Sequence, residues 1–231
     1  RLNSSAASDV YKRQDYNNVP IDYLINKDYL KNRMKSFSWE KASISESISP
    51  GDISIFESEE TTHYSIVDNY GNAVGVTTTL NSSFGSKLFV EQGGFFLNNQ
   101  MDDFSIKIGQ PNLYGLIGGD VNSVQPNKRM LSSMTPTIVE KDGKLSLVLG
   151  TPGGSTIITS VLQTILNIYE YGMPVQKAVN SPRFHHQWFP DNIVFEPNAF
   201  GEKLIKDLKR IGYKIDPSKN KILGRVDAIY I

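Results

Sequence analysis

The chain has no cysteine and no excess charge, and these two absences remove several classes of function. None of its 231 residues is cysteine, which excludes a thiol nucleophile, a CxxC redox pair and thiolate zinc ligands, but is compatible with any compartment. Lys plus Arg and Asp plus Glu number 24 each, so no basic excess favours nucleic acid or an anionic membrane surface. We therefore expect no nucleic-acid partner.

Long apolar runs and histidines are also scarce. No stretch approaches the roughly 18–20 apolar residues that cross a bilayer, and the first residues do not form a signal-peptide pattern. We therefore expect no membrane span in this chain. There are three histidines, and the adjacent His185 and His186 would point to opposite sides of a strand. We therefore expect no metal site, and nothing in the sequence indicates a cofactor.

The composition divides the chain into three parts. Residues 1–14 are small, polar and basic without periodicity, and we interpret them as disordered or foreign to the domain. Residues 15–60 carry short helix signals, followed by a Ser-rich linker with Pro50-Gly51 and an acidic end. From residue 61 to residue 231 the strand and helix patterns are clear.

Thr61-Thr62-His63-Tyr64-Ser65 opens the first clear strand, directly after the acidic run. If the chain were cut between Glu60 and Thr61, the threonine would become a new N-terminus. Its hydroxyl would be a nucleophile, and its freed α-amine, with an unperturbed pKa of about 7.7–8.0, would be the base. The stretch predicts an amide-bond enzyme made by self-cleavage, although composition alone favours an ordinary surface loop before Thr61.

A hairpin is predicted from Thr61–Asp68 and Asn72–Leu80, joined by a three-residue loop that ends in Gly71. In this register the numbers of opposed residues sum to 140, so we expect Thr61 opposite Thr79. Period-2 alternation gives an apolar face and a polar face. The apolar face carries Tyr64, Ile66, Val74, Val76 and Leu80, and the polar face carries Thr61, His63, Ser65, Thr77, Thr79 and Asn81.

A second hairpin, Thr137–Glu140 with Leu145–Leu149, leads into a glycine-rich turn and then a helix. Asp142-Gly143 is the turn former, and apolar residues recur at helical spacing from Ile157 to Tyr169. N–H groups of the glycines at the start of this helix could cradle an oxyanion, although a tight turn alone would also explain them. Antiparallel strands with packed helices indicate an α+β sandwich. Short helices over Val175–Asn180 and Leu204–Ile211 and a final strand over Gly224–Ile231 are also predicted.

Several motifs in fixed order resemble the small subunit of γ-glutamyltranspeptidase. They are TTHYSIVDNYGNAVGVTTTLNSSFGS, NNQMDDFS, PNLYGLIGGDVNSV, NKRMLSSMTPTIV, GTPGGS and SPRFHHQW. The resemblance implies the N-terminal-nucleophile hydrolase fold, a four-layer αββα sandwich. It implies that residues 15–60 are the linker and the tail of a large subunit, and that residues 61–231 are a small catalytic subunit. It also implies transfer or hydrolysis of the γ-glutamyl group of glutathione and related amides.

The resemblance implies roles for individual residues. Glu60–Thr61 would be the autocleavage bond, Thr61 the nucleophile and Thr79 its hydrogen-bond partner. The substrate contacts and oxyanion donors would be as follows: Asn81, Gln100 and Asp103 for the α-amino group, Ser132 and Ser133 for the α-carboxylate, Gly153 and Gly154 for the oxyanion, and Tyr114 in the lid Pro111–Gly119. The partners implied are glutathione and other γ-glutamyl compounds, the acceptors water, amino acids and peptides, and the large subunit of the same precursor.

The sequence departs from the usual bacterial pattern at Met130, Thr151 and Thr156, where proline, serine and arginine are common. Most of the large subunit, with its carboxylate-binding arginine, and the family's final Asp-Pro-Arg region are not in this sequence. We therefore expect a fragment that is inactive alone. Periplasmic or extracellular location is implied by the family.

Three alternatives remain open. A poly-γ-glutamate transpeptidase or a glutaryl acylase could use the same scaffold, and an uncleaved binding or structural relative would keep Glu60 and Thr61 joined. The acylase is disfavoured because a glutaryl group lacks the α-amine that the implied acceptors would hold. The polymer enzyme is disfavoured by the lid tyrosine, Tyr114, which suits small γ-glutamyl compounds.

Overall fold

The computed structural model describes residues 21–45, 48, 60–112, 117–215 and 222–231. Within these ranges the chain has an α+β architecture, as predicted, and two antiparallel sheets lie against each other. Tyr114, predicted as the lid residue, lies outside the described residues, and so do residues 1–14. The side chain of Glu60 is likewise outside the description.

Two short helices precede the sheets. Helix α1 spans Ile21–Leu24 and helix α2 spans Lys27–Arg33, continued by a 3₁₀ turn over Met34–Ser36. The side chain of Asn26 caps α2, because its Oδ1 accepts the backbone N–H groups of Asp28 at 2.8 Å and Tyr29 at 3.1 Å. The helix signals predicted before residue 60 are therefore confirmed where the structure describes them.

The first sheet is the predicted hairpin, with strand β1 over Glu60–Val67 and strand β2 over Ala73–Asn81. From Thr62 paired with Thr78 to Val67 paired with Ala73, opposed numbers sum to 140, which confirms the predicted register. The turn is closed by Asp68, whose Oδ1 accepts the N–H groups of Tyr70 at 2.8 Å and Asn72 at 2.9 Å. These contacts fix the loop length on which the register depends.

The ladder shifts at the start of β1. Glu60 pairs with Asn81 and Thr62 with Thr78, so Thr61 alone stands against Thr79 and Leu80. This one-against-two arrangement is a β-bulge, which interrupts the pairing and turns the strand locally. The predicted direct pairing of Thr61 with Thr79 is therefore wrong, because the register changes by one residue at the position of the candidate nucleophile.

The second sheet has three strands, which lie side by side in the order in which they occur in the chain. Strand β5 spans Thr137–Lys141, β6 spans Lys144–Gly150 and β9 spans Asp227–Tyr230, all antiparallel. Asp142 and Gly143 form the turn with φ of 54° and 74°, the two positive values that a tight two-residue hairpin turn requires. The final strand was predicted over Gly224–Ile231 and is shorter at both ends, by three residues at the first and one at the second.

One helical layer covers the second sheet. Helix α3 spans Thr156–Tyr169 and helix α4 spans Val175–Asn180. The core lies between these helices and the sheet. Its buried members are Val139, Leu147, Leu149, Ile157, Val161, Ile168, Ala178 and Val226. Burial of these side chains stabilises the fold by about 25 cal/mol per Å² of apolar surface removed from water.

The remaining elements are short. Strands β3 and β4 span Phe89–Val90 and Phe95–Phe96, and β7 and β8 span Phe184–His185 and Val194–Phe195. Two 3₁₀ turns span Gln100–Asp103 and Asp120–Asn122, and helix α5 spans Glu202–Arg210. None of the helices in the described ranges is long and apolar enough to span a bilayer.

The two faces of the β1–β2 hairpin are divided as predicted, but the polar face is the one that packs inward. His63 and Asn81 are buried, whereas Tyr64, Ile66, Val74 and Leu80 are 40–54% exposed. The inner face meets β6, since a Cβ on Gly75 would lie 3.4 Å from Val148. A second exposed apolar stripe runs along α3 through Ile158, Leu162 and Leu166.

Candidate active site

Thr61 lies between two cavities at the start of β1. One, of about 280 Å³, is also lined by Thr79, Ser82 and Phe84. The other, of about 640 Å³, is also lined by Pro152 and Arg225. Thr61 and Thr79 therefore border one space although they are not paired in the ladder. The half-buried position of Thr61 leaves its hydroxyl beside open volume, as an attacking group requires.

Thr79 supports Asn81 from within its own strand. Its Oγ1 accepts the backbone N–H of Asn81 at 2.9 Å, and Asn81 has φ of 80°, a left-handed conformation that Asn adopts more readily than most residues. The side chain of Asn81 is fully buried. Its Oδ1 has no hydrogen-bond partner among the described atoms. A buried carbonyl oxygen in this state is a ready acceptor for a ligand ammonium.

Asn99, which was not predicted from the sequence, connects Asn81 to the Gln100–Asp103 turn. Its carbonyl oxygen accepts the Asn81 Nδ2 at 3.3 Å. Its side chain accepts the N–H of Ser82 at 2.9 Å and donates to the Ser82 hydroxyl at 2.7 Å. Gln100 and Asp103 follow three residues apart in a 3₁₀ turn, where such side chains lie on one side. Asp103 is buried and Gln100 half-buried.

A second asparagine outside the prediction, Asn122, connects this turn to the serine pair. Its Nδ2 donates to the carbonyl oxygen of Asp103 at 2.7 Å, and its Oδ1 accepts the N–H of Leu131 at 3.1 Å. Ser132 and Ser133 come next in the chain and are both buried. The bonds of Asn99 span 17 and 18 residues and those of Asn122 span 9 and 19. Bonds over such separations leave no regular spacing in the sequence, so neither asparagine could be predicted from the pattern.

The serine pair reaches the glycine loop directly. Ser133 Oγ donates to the carbonyl oxygen of Gly154 at 2.7 Å, whereas Ser132 Oγ accepts the N–H of Met134 at 3.3 Å. Gly153 and Gly154 have φ of 140° and 61°. Residue 153 must be glycine, because a Cβ there would lie 2.6 Å from Thr156 Oγ1 and 2.7 Å from the Leu223 carbonyl oxygen. A path of hydrogen bonds, completed by the short chain segments 99–103 and 131–133, thus connects Thr79 to Gly154.

The two unusual threonines of the glycine loop have local partners. The Thr156 hydroxyl donates to two carbonyl oxygens, that of Gly153 at 2.7 Å and that of Leu223. The two oxygens share its one proton. Thr151 Oγ1 donates to the Pro152 carbonyl oxygen at 2.7 Å and accepts the N–H of Arg225 at 2.8 Å. Both departures from the usual bacterial pattern therefore hold the loop in place.

His63 is buried on the inner face of β1, two residues from Thr61. Its Nδ1 lies 2.7 Å from Thr77 Oγ1 and its Nε2 lies 3.0 Å from Ser65 Oγ. Burial lowers the pKa of His63 below the usual 6.5, and the charge of Asp227 opposes this shift in part. The imidazole is therefore held neutral near pH 7.

The adjacent His185 and His186 bond to different partners. The ring of His185 lies 2.9 Å from Thr159 Oγ1 and 2.8 Å from Gln187 Oε1, whereas His186 Nε2 lies 3.0 Å from Asp191 Oδ1. The described ranges contain no group of three or more His, Asp or Glu side chains arranged to hold a metal ion.

Two antiparallel sheets that lie against each other, with a threonine at the start of one strand, fit the N-terminal-nucleophile class of fold. Comparisons with known proteins give the same class. The family model described as Gamma-glutamyltranspeptidase matches residues 1–231. The chain is 53% identical over 217 residues to the glutathione hydrolase proenzyme of Escherichia coli (strain K12), covering 94% of this chain and 37% of that relative.

Solved structures give the same result. A mutant γ-glutamyltranspeptidase of Helicobacter pylori matches with a TM-score of 0.70 and 52% identity over 73% of this chain and 90% of that one. The Bacillus anthracis transpeptidase CapD matches with a TM-score of 0.56 and 27% identity, over 73% and 85%. The chain belongs to the γ-glutamyltranspeptidase family, and it spans little more than a third of the length of the curated relatives it matches.

Proposed function

We propose that this chain is the C-terminal part of a self-cleaving γ-glutamyl transferase and hydrolase acting on glutathione and related γ-glutamyl amides. The observation that carries the proposal is the connected path from Thr79 to Gly154 beside Thr61, made of side-chain hydrogen bonds and two short chain segments. It joins acceptors suited to an ammonium, a hydroxyl suited to a carboxylate and a glycine turn suited to an oxyanion. An α-amino acid with a reactive γ-carbonyl requires these three subsites.

The first proposed step is self-cleavage. Thr61 Oγ attacks the carbonyl carbon of Glu60, the peptide C–N bond breaks and an ester forms in its place. Water then hydrolyses the ester, which releases the Glu60 carboxylate and frees the Thr61 α-amine as the base. The β-bulge supports this step, because it interrupts regular strand pairing at the scissile bond.

The second step is turnover. The α-amine takes the Thr61 Oγ proton as the oxygen attacks the substrate γ-carbonyl, and the N–H groups of Gly153 and Gly154 face the oxyanion. The proton passes to the leaving amine, so glutathione gives cysteinylglycine and a γ-glutamyl ester. Water then yields glutamate, or an amino acid or peptide accepts the γ-glutamyl group. Tyr114 would cover the bound glutamyl group and exclude bulk water.

The substrate orientation follows from the donor and acceptor types. Asn81, Gln100 and Asp103 hold the α-amino group, because they supply acceptors and one negative charge. Ser132 donates to the α-carboxylate, whereas the neighbouring Ser133 gives its one proton to the Gly154 carbonyl oxygen and holds the glycine loop beside it. No metal or other cofactor takes part in this scheme.

The proposed partner is the large subunit of the same precursor, formed by residues preceding Thr61. Two exposed apolar surfaces support it: the outer face of β1–β2 and the Ile158–Leu166 stripe of α3. Contiguous apolar surface of this kind is typical of an interface. The solved structure from Helicobacter pylori covers about three quarters of this chain, close to the length of residues 61–231, which supports a separate small subunit. The family relationship suggests a periplasmic or extracellular location.

The test is to express the full-length precursor with a Thr61→Ala control and measure the intact masses of the products. We expect two polypeptides from the wild type, the smaller beginning at Thr61, and one uncut chain from the control. The cleaved protein should release p-nitroaniline from γ-glutamyl-p-nitroanilide with a burst. A single uncut wild-type chain would overturn the proposal in favour of a non-catalytic relative.

A second candidate is a transpeptidase for poly-γ-glutamate, and the likeness to the transpeptidase CapD is the observation that favours it. The two functions are separated by giving the cleaved protein glutathione and a poly-γ-glutamate chain in parallel. Higher kcat/KM for glutathione supports the first proposal, and higher kcat/KM for the polymer supports the second.

A further inference from the structure

A buried ion pair lies at the wall of the larger cavity beside Thr61, which Arg183 also lines, but neither of its residues belongs to the proposed substrate contacts. Arg183 and Glu196 are 7% and 8% exposed and flank the short β7–β8 sheet. Arg183 Nη1 lies 3.2 Å from both carboxylate oxygens of Glu196, and its backbone N–H donates to Oε2 at 2.9 Å. Such pairs contribute little net stability, because desolvation offsets the attraction between the charges. Stability alone therefore does not explain why the pair is there.

The Glu196 carboxylate has a third partner, the backbone of Leu223. Its Oε1 accepts the N–H of Leu223 at 3.0 Å. On the other side of the same residue, the Leu223 carbonyl oxygen accepts the hydroxyls of Thr156 and Ser160. Leu223 is 1% exposed, so its side chain and both of its backbone polar groups are fixed.

Leu223 is in turn packed against the glycine loop. A Cβ on Gly153 would lie 2.7 Å from the Leu223 carbonyl oxygen, and a Cβ on Gly224 would lie 2.8 Å from Thr151 Oγ1. The N–H of Arg225 donates to Thr151 Oγ1 at 2.8 Å. Residues 223–225 therefore lie along the loop at contact distance, and a shift of Leu223 changes the space available to Gly153.

We propose that Glu196, held by Arg183, is a positioning residue that fixes the Gly153–Gly154 loop through the backbone of Leu223. The inference rests on the proposed function, in which this loop carries the oxyanion donors. Oxyanion donors act only when they are held at the correct distance before the reaction begins. The Glu196 carboxylate is held by both Nη1 and the backbone N–H of Arg183, so it is a fixed acceptor for the Leu223 N–H.

Two double variants of the full-length precursor separate positioning from stability. Arg183→Met with Glu196→Leu removes both charges and leaves the Leu223 N–H without its acceptor. Arg183→Met with Glu196→Gln also removes both charges, but keeps a side-chain oxygen at that position. Both replace the pair without leaving one buried charge alone, which is the change that unfolds proteins. The readouts are the melting temperature, the rate of cleavage at Glu60–Thr61 and the burst rate with γ-glutamyl-p-nitroanilide.

We expect the glutamine variant to react within about threefold of the wild type and the leucine variant to react roughly 10–100-fold more slowly, at equal melting temperatures. This range lies below the roughly 10²–10³-fold cost of losing a donor outright. A precursor that does not cleave at Glu60–Thr61 counts as having lost activity. Self-cleavage is itself an acyl transfer, and it would use the same Gly153–Gly154 loop. Equal rates in the two variants, or rates that follow the melting temperature, would overturn the inference.

If neither double variant accumulates, Glu196→Asp decides the question. It keeps the charge opposite Arg183 but shortens the side chain by one methylene, so one carboxylate oxygen no longer reaches Leu223 while the other holds the arginine. We expect a slower burst at an unchanged KM, and a wild-type burst rate would contradict positioning. A wild-type precursor without any burst would instead overturn the proposed function, so the two failures are distinguishable.

Discussion

The Ser133 hydroxyl donates its proton to the Gly154 carbonyl oxygen at 2.7 Å. This bond joins a residue of the proposed carboxylate subsite to a residue of the proposed oxyanion loop. A hydroxyl has one proton to donate, and that of Ser133 is already used. The neighbouring Ser132 instead accepts an N–H with its oxygen, which leaves its proton for a substrate carboxylate. The two adjacent serines therefore have different roles in the proposed site.

This difference predicts opposite kinetic effects of two alanine variants. Ser132→Ala should raise KM for γ-glutamyl-p-nitroanilide about tenfold with little change in kcat, since a hydrogen bond to a charged group contributes roughly 1.5–3 kcal/mol. Ser133→Ala should lower kcat by about tenfold or more, because the Gly154 peptide loses its anchor. Steady-state kinetics of the cleaved enzyme check both. If both variants change only KM, Ser133 does not fix the loop.

Gly153→Ala should abolish most turnover. The added Cβ would lie 2.6 Å from Thr156 Oγ1 and 2.7 Å from the Leu223 carbonyl oxygen, so the loop must move away from its position. We expect kcat to fall by roughly 10²-fold, the typical cost of losing one oxyanion donor. Burst kinetics would measure the loss.

Gly172→Ala is the matched control for this substitution. Gly172 also has positive φ, 61°, but a Cβ there meets nothing within 4 Å. It should cost about 1–2 kcal/mol of stability from backbone strain and leave kcat unchanged. Equal loss of kcat in the two variants would show that strain, and not displacement of the loop, is responsible.

Thr79 is expected to act on substrate binding through Asn81. Because Thr79 Oγ1 accepts the Asn81 N–H at 2.9 Å, Thr79→Val removes the contact that holds Asn81 at φ of 80°. Thr79→Ser retains it and is the control. Glutamate and glutarate, compared as competitive inhibitors, give the measurement, since they differ only in the α-amine. Thr79→Val should weaken glutamate about tenfold more than glutarate, and equal weakening would contradict the link to the amine subsite.

The loop length of the first hairpin was enough to predict its register, because a three-residue turn closed by Asp68 and Gly71 leaves one pairing. The sequence could not predict the bulge at Thr61, which depends on how β1 meets the rest of the molecule. Alternation also separated the two faces of the hairpin without indicating which one is covered. The polar face packs inward because Gly75 and Gly150 allow β1–β2 to approach β6 closely.

The residues that connect the site were beyond prediction for a related reason. Asn99, Asn122 and Glu196 act through bonds between a side chain and a distant backbone group, spanning from 9 to 27 residues. Such bonds have no fixed spacing and no characteristic neighbours. Family resemblance supplied the groups that would face the substrate, whereas the groups that hold them appear only in three dimensions.

The buried His63 predicts that stability falls on mild acidification. Because burial lowers its pKa below 6.5, the unfolded chain binds a proton more readily than the folded protein in the range below pH 6.5. The free energy of unfolding therefore decreases as the pH falls through 6.5, and the decrease ends once folded His63 itself becomes protonated. The contribution of neutral His63 to the free energy of unfolding is fully present at pH values above the pKa that His63 has in the unfolded chain.

Two variants check this with urea unfolding of the cleaved enzyme between pH 7.5 and 5. His63→Gln should show a smaller loss of stability across this range than the wild type, because the titrating group is gone. Ser65→Ala removes the hydroxyl 3.0 Å from His63 Nε2 but keeps the imidazole, so it should retain the pH dependence at lower absolute stability. If His63→Gln loses as much stability as the wild type, another group controls the acid sensitivity and the neutral state of His63 contributes nothing to it.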